Sequence, residues 1–126
     1  MRIRATQQND VTVLEFFAGE VLDCYVAADV KAQAFRQLQG RTDVVVDLSN
    51  LEFVDSAGLG VLVGIYKRVK LRGRRAVVAG AQPYVTRVMQ IIKLDRVFES
   101  FDDVPSAVAE LAADEARESA GTGTPG

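Results

Sequence analysis

The chain has 126 residues and a mass of 13.7 kDa, room for one domain. Its 48% hydrophobic and 25% charged residues are the balance of a globular protein, and 15 Lys and Arg against 17 Asp and Glu leave a formal charge of −2, without the cationic excess that general nucleic-acid binding requires. There is no His, which removes His-dependent triads, His-containing metal sites and the commonest general base, and the single Cys24 excludes an internal disulfide and a thiolate zinc cluster.

Arg2–Gln7 and Val11–Phe17 read as two strands around the polar tripeptide Gln8-Asn9-Asp10, an antiparallel hairpin. A loop around Gly19 comes next, through AGEVLD. From Tyr25 to Leu38 the period becomes helical, with Val26, Val30, Ala34 and Leu38 every four residues and Gly40 as a stop. Asp43–Leu48 carries three consecutive Val, the pattern of a strand buried on both faces. Ser49–Asp55 reads as a loop, and a helix then runs from near Ser56 to about Arg72, stopped by Gly73. Arg75–Ala79 is a further strand. Pro83 opens a helix with Val85, Val88, Met89 and Ile92 as its inner stripe. Arg96–Ser100 reads as a last strand, and Asp102-Asp103 cap a final helix carrying Val104, Val108 and Leu111. Alternating strands and helices after a hairpin predict an α/β fold, a mixed and mostly parallel sheet of about five strands with four helices. Residues 1–112 form the domain. Residues 113–126 hold a helix end and a Gly-, Ser- and Thr-rich tail, ESAGTGTPG, expected to be disordered.

The chemistry-bearing candidates are few. Cys24, between Asp23 and Tyr25, lacks a basic neighbourhood and reads as a small apolar residue. Gly58, Gly60 and Gly64 open a helix after a strand, but the third glycine comes one residue late for a dinucleotide fingerprint, and no Lys is met until Lys67. They read as small residues that let a helix approach a sheet. Asp43 and Asp47 read as satisfied residues at the two ends of a buried strand. The basic run Lys67–Arg75 occupies the last turn of a helix and the residues beyond it, where cations complement the dipole. MRIRATQQND is no signal peptide, and the uncharged stretch Ser56–Tyr66 is too short to span a bilayer, which predicts a cytoplasmic protein. At Ser56, a serine at a helix start by itself implies a capping bond. The helix beyond it is unusual: Ala57 to Ile65 is uncharged around the whole circumference. Leu59, Leu62, Val63 and Tyr66 form an inward stripe, which leaves Gly58, Val61 and Ile65 on a second apolar flank, either buried or facing a partner.

The segment DSAGLGVLVGIYKRVKLRGRR resembles the signature of STAS domains, specifically bacterial anti-sigma factor antagonists. FAGEVLD, DVVVDLSNLEFVDSAGL and IIKLDRVFESFDDVPSAVAEL agree in the same order, so the resemblance covers roughly residues 3 to 112. It implies a switch: an anti-sigma factor that is itself a serine kinase phosphorylates the Ser of the motif, the unphosphorylated form binds that kinase and frees the sigma factor, and a serine phosphatase resets the cycle. Carried over by position, the acceptor is Ser56 with Asp55 before it. The partner surface comprises Asp23, Asp55, Ser56, Ala57, Gly58, Gly60, Val61 and Ile65. The GEVLD spacing at Asp23 is one residue longer than the family's G-x-L-D pattern, and Ala57 stands where a second Ser or Thr is common.

The implied protein is a non-enzymatic regulator of transcription without metal or cofactor. It touches neither nucleic acid nor membrane and is a monomer or weak dimer when alone. The alternatives are a STAS subunit of a larger signalling scaffold or lipid-transport complex, and a nucleotide- or small-molecule-binding STAS module.

Overall fold

The computed structural model describes residues 2–17, 21–38 and 40–122. Strands β1 (Arg2–Gln8) and β2 (Val11–Phe17) form the expected hairpin, with Gln8 paired to Val11. Only Asn9 and Asp10 lie between them, at φ 51° and 63°, the left-handed pair that a two-residue turn needs to match strand twist. A short strand β3 (Val21–Leu22) precedes helix α1 (Ala27–Gln37). Then come β4 (Asp43–Asp47), β5 (Phe53–Val54), α2 (Ser56–Leu71), β6 (Ala76–Ala79), α3 (Pro83–Ile91), β7 (Ser100–Phe101) and α4 (Val104–Thr122).

The main sheet has the order β1-β2-β4-β6-β7, antiparallel at the hairpin and parallel beyond it. Both faces are covered, so the central strands are buried throughout. Val44 and Val46 of β4 and Val78 of β6 face a core shared with α1, α2 and α3. Val45 and Val77, one residue out of phase, face a second core closed by Ala107, Val108 and Leu111 of α4.

Four sequence expectations are revised. The loops 18–23 and 49–55 each contribute a two-residue strand, and β3 and β5 pair in parallel as a separate small sheet; Gly19 lies outside the described residues. The expected strand Arg96–Ser100 begins as a 3-10 turn, Leu94–Arg96, because Lys93 at φ 65° breaks off the preceding helix and reverses the chain. Helix α3 accordingly ends at Ile91, and Ile92 is 47% exposed instead of completing the inner stripe of Val85 and Met89. Finally, α4 is helical as far as Thr122, whereas composition predicts irregular chain from Glu118; residues 123–126 lie outside the described residues. Among the described residues no helix is long and apolar enough to cross a membrane.

Candidate functional site

The small β3–β5 sheet fixes the start of α2. Leu22 pairs with Val54, the Asp55 amide donates to the Leu22 carbonyl at 3.2 Å, and the chain turns into α2 at the next residue. Asp55 is the helix cap: its extended backbone lets Oδ1 accept from the Gly58 amide at 2.9 Å, satisfying a donor the helix cannot. Its other oxygen, Oδ2, accepts from the Cys24 amide at 2.9 Å. One carboxylate thus ties the N-terminus of α2 to the loop that begins α1. Ser56 is not the cap but the first helical residue, and it is exposed.

Asp23 belongs to the same end of the molecule. Its Oδ1 accepts from the Tyr25 amide at 3.0 Å, and its carbonyl accepts from the Val26 and Ala27 amides, shaping the turn into α1. Asp23, Asp55 and Ser56 are therefore brought together, although 32 to 33 residues separate Asp23 from the other two in sequence. Ala57 is half-buried and Gly60 exposed.

Gly58, Val61 and Ile65 do not form an exposed flank. Gly58 is buried, Val61 is 2% and Ile65 0% exposed, because α2 is enclosed on three sides, by α1, by β6 and by β5. These three residues are core, which withdraws them from direct contact with a partner. The glycines also divide. A Cβ on Gly58 would stand 2.2 Å from the Leu22 carbonyl oxygen, so glycine is what admits β3 against the helix; around Gly60 there is nothing within 4 Å.

The surface beside Ser56 is apolar for a different reason. Val21 and Phe53, paired across the small sheet, turn outward and are 42% and 41% exposed, while Leu22 and Val54 turn inward. Phe53 stacks on Tyr84 of α3, centroids 5.7 Å apart, and Tyr84 is itself 46% exposed. Tyr25 is 91% exposed on the loop held by Asp55. Cys24 is exposed as well, contrary to its reading as a small apolar residue, since its amide and not its side chain is what the fold uses. These aromatics escape a sequence reading because two-residue strands give no period from which to assign a face. The one available signal is the density of large apolar residues in loops.

The remaining candidates serve the fold. Asp47 Oδ1 accepts from the Ser49 amide and hydroxyl, and Asp43 Oδ1 from the Arg75 amide. Arg68 lies 4.4 Å over the Phe35 ring, and Arg72 donates to the carbonyls of Leu38 and Gly40. Arg75 pairs with Glu99 and Asp114. Burial alone would lower its guanidinium, but the Glu99 hydrogen bond and the charges of Glu99, Asp114 and Asp43 raise it above its ordinary value. Among the described residues, no three Cys, Asp or Glu side chains converge where a metal could sit.

The STAS domain family model matches residues 2–107, and the chain belongs to that family. The anti-sigma F factor antagonist of Paenibacillus polymyxa is 33% identical over 96 residues, which cover 75% of this chain and 81% of that protein. The anti-sigma-B factor antagonist of Listeria monocytogenes is 30% identical over 95 residues, 74% and 82% of the two chains. The solved structure of an anti-sigma-factor antagonist (STAS) domain protein from Planctomyces limnophilus aligns with a TM-score of 0.82 at 26% identity, covering 87% of this chain and 97% of that one.

Proposed function

We propose that this protein is an anti-sigma factor antagonist that works by partner switching in the cytoplasm: unphosphorylated, it binds an anti-sigma factor kinase and releases the sigma factor, and phosphorylation of Ser56 ends that binding until a phosphatase restores it. The observation that carries the reading is the placement of Ser56. It is exposed at the first position of α2, beside the Asp55 cap and three residues after Phe53, which forms an outward-facing patch with Val21 and Tyr84. The antagonist names of the relatives from Paenibacillus and Listeria support it.

The physics of the switch rests on that placement. A phosphate adds about −1.5 to −2 charges at neutral pH. At a helix N-terminus the positive end of the dipole tolerates it, so the domain keeps its fold. A partner packed on the patch would have to desolvate the phosphate next to the Asp55 carboxylate. An unpaired buried charge costs about 2–5 kcal/mol, or roughly one to four decades of affinity. One hydroxyl therefore gates the complex with no refolding. The partner surface consists of Val21, Asp23, Tyr25, Phe53, Asp55, Ser56, Ala57, Gly60 and Tyr84. The role is regulatory: the protein is a substrate of kinase and phosphatase.

The test is phosphorylation by the cognate anti-sigma kinase with ATP, then mapping of the label. Phosphate on Ser56, lost in Ser56→Ala, is the expected result. Label on another residue, or none with a kinase that binds the protein, overturns the switch.

A further inference from the structure

The basic run at the end of α2 is only partly spent on the fold. Arg68, Arg72 and Arg75 have the partners described above, but Lys70 and Arg74 have no carboxylate partner among the described residues. Lys70 Nζ donates to the Tyr66 hydroxyl at 3.2 Å and lies 5.5 Å from the centroid of the same ring. Both cations line a cavity of about 380 Å³ where the end of α2, the start of β6 and the turn before β7 meet. That volume suits a small molecule. The one acid on its wall, Glu99, is engaged by Arg75. The rest of the wall includes Tyr66, held edge-on against Phe98, and the 40% exposed Val97; Ala76 and Val77, which also border it, are buried.

We propose that this cavity binds an organic phosphate, its phosphate between Lys70 and Arg74 and its apolar or aromatic body against Tyr66 and Val97. Two uncompensated cations match a dianion better than a carboxylate. The Arg fork and the Lys point charge are the usual pair of phosphate donors. Lys70 lies fourteen helical residues beyond Ser56, roughly 21 Å at 1.5 Å per residue, so the cavity is separate from the surface around Ser56.

The experiment titrates phenyl phosphate into the isotopically labelled full chain at low ionic strength, with inorganic phosphate and phenol as separate arms. The expected result is saturable amide shifts centred on Gly73, Ala76 and Val77. Phenyl phosphate should bind at least about tenfold more tightly than either fragment. Lys70→Gln with Arg74→Gln, the first exposed and the second half-buried, should weaken it at least about tenfold, the range for hydrogen bonds to a charged group. Val97→Glu should do the same by bringing a carboxylate to the mouth. Ser56→Ala should leave binding unchanged. Shifts that never saturate or centre elsewhere, equal affinity for inorganic phosphate, or undiminished binding in the variants would overturn the site.

Discussion

Ser56, Gly58 and Gly60 lie close together at the start of α2, and each residue answers to a different constraint. Gly58 is a packing residue: alanine would drive a methyl to 2.2 Å from the Leu22 carbonyl. Gly58→Ala should therefore destabilise the domain by about 1–3 kcal/mol, the range for overpacking, despite alanine's better helix propensity. Gly60 is exposed with no neighbour within 4 Å, so Gly60→Ala should stabilise by about 0.5–1 kcal/mol. Urea unfolding of the two variants checks both signs. Ser56 adds little to stability, because Asp55 supplies the cap. In the proposed switch its charge state acts on binding, so Ser56→Asp should bind the anti-sigma kinase at least about tenfold more weakly by calorimetry. Equal affinity would argue against an electrostatic gate.

At the scale of elements, the β3–β5 sheet joins the patch to the start of α2, where Ser56 stands. Its outward residues, Val21 and Phe53, extend through the Phe53–Tyr84 stack onto α3. Replacing Phe53 and Tyr84 together by Ala should weaken kinase binding at least about tenfold, as loss of aromatic anchors does, while phosphorylation remains confined to Ser56. Binding unchanged by the pair would remove the patch from the interface. Helix α4 gives a pH test. The Asp103 carboxyl is held below its ordinary 3.8 by the Ser106 hydroxyl first and the Ser106 amide second. A folded value below the unfolded one gives stability that is present above the unfolded value and lost as pH falls through the folded one. The gap in urea midpoint between wild type and Asp103→Ala should thus hold at neutral pH and close in acid, below the ordinary carboxylate range. A gap that persists in strong acid would assign it to something other than this charge.

Elements with a long period were legible in the sequence and short ones were not. Val44–Val46 and the hairpin can be read from composition and turn residues alone, and Asp55-Ser56 could be placed at a helix start. The two-residue strands could not be seen, because their pairing depends on a partner more than thirty residues away. The uncharged circumference of α2 left open whether Val61 and Ile65 meet solvent, a partner or core. Enclosure by α1, β5 and β6 decides for core, and only the tertiary fold carries that information. Lys93 likewise takes its left-handed turn where residue type alone gave no warning.

For the whole molecule, a formal charge of −2 is nearly doubled by one phosphate, and the addition falls at a single helix end. The sheet is covered on both faces, and its two cores are closed by different helices. The proposed switch works by a change of surface, the fold being kept. The direct measurement is the affinity of the cognate anti-sigma factor for two preparations of the full chain, unphosphorylated and phosphorylated at Ser56, with amide spectra recorded on both. A phosphate gate predicts at least about a tenfold loss of affinity on phosphorylation, with spectral changes confined to the neighbourhood of Asp23, Asp55 and Ser56. Equal affinity of the two forms would contradict it.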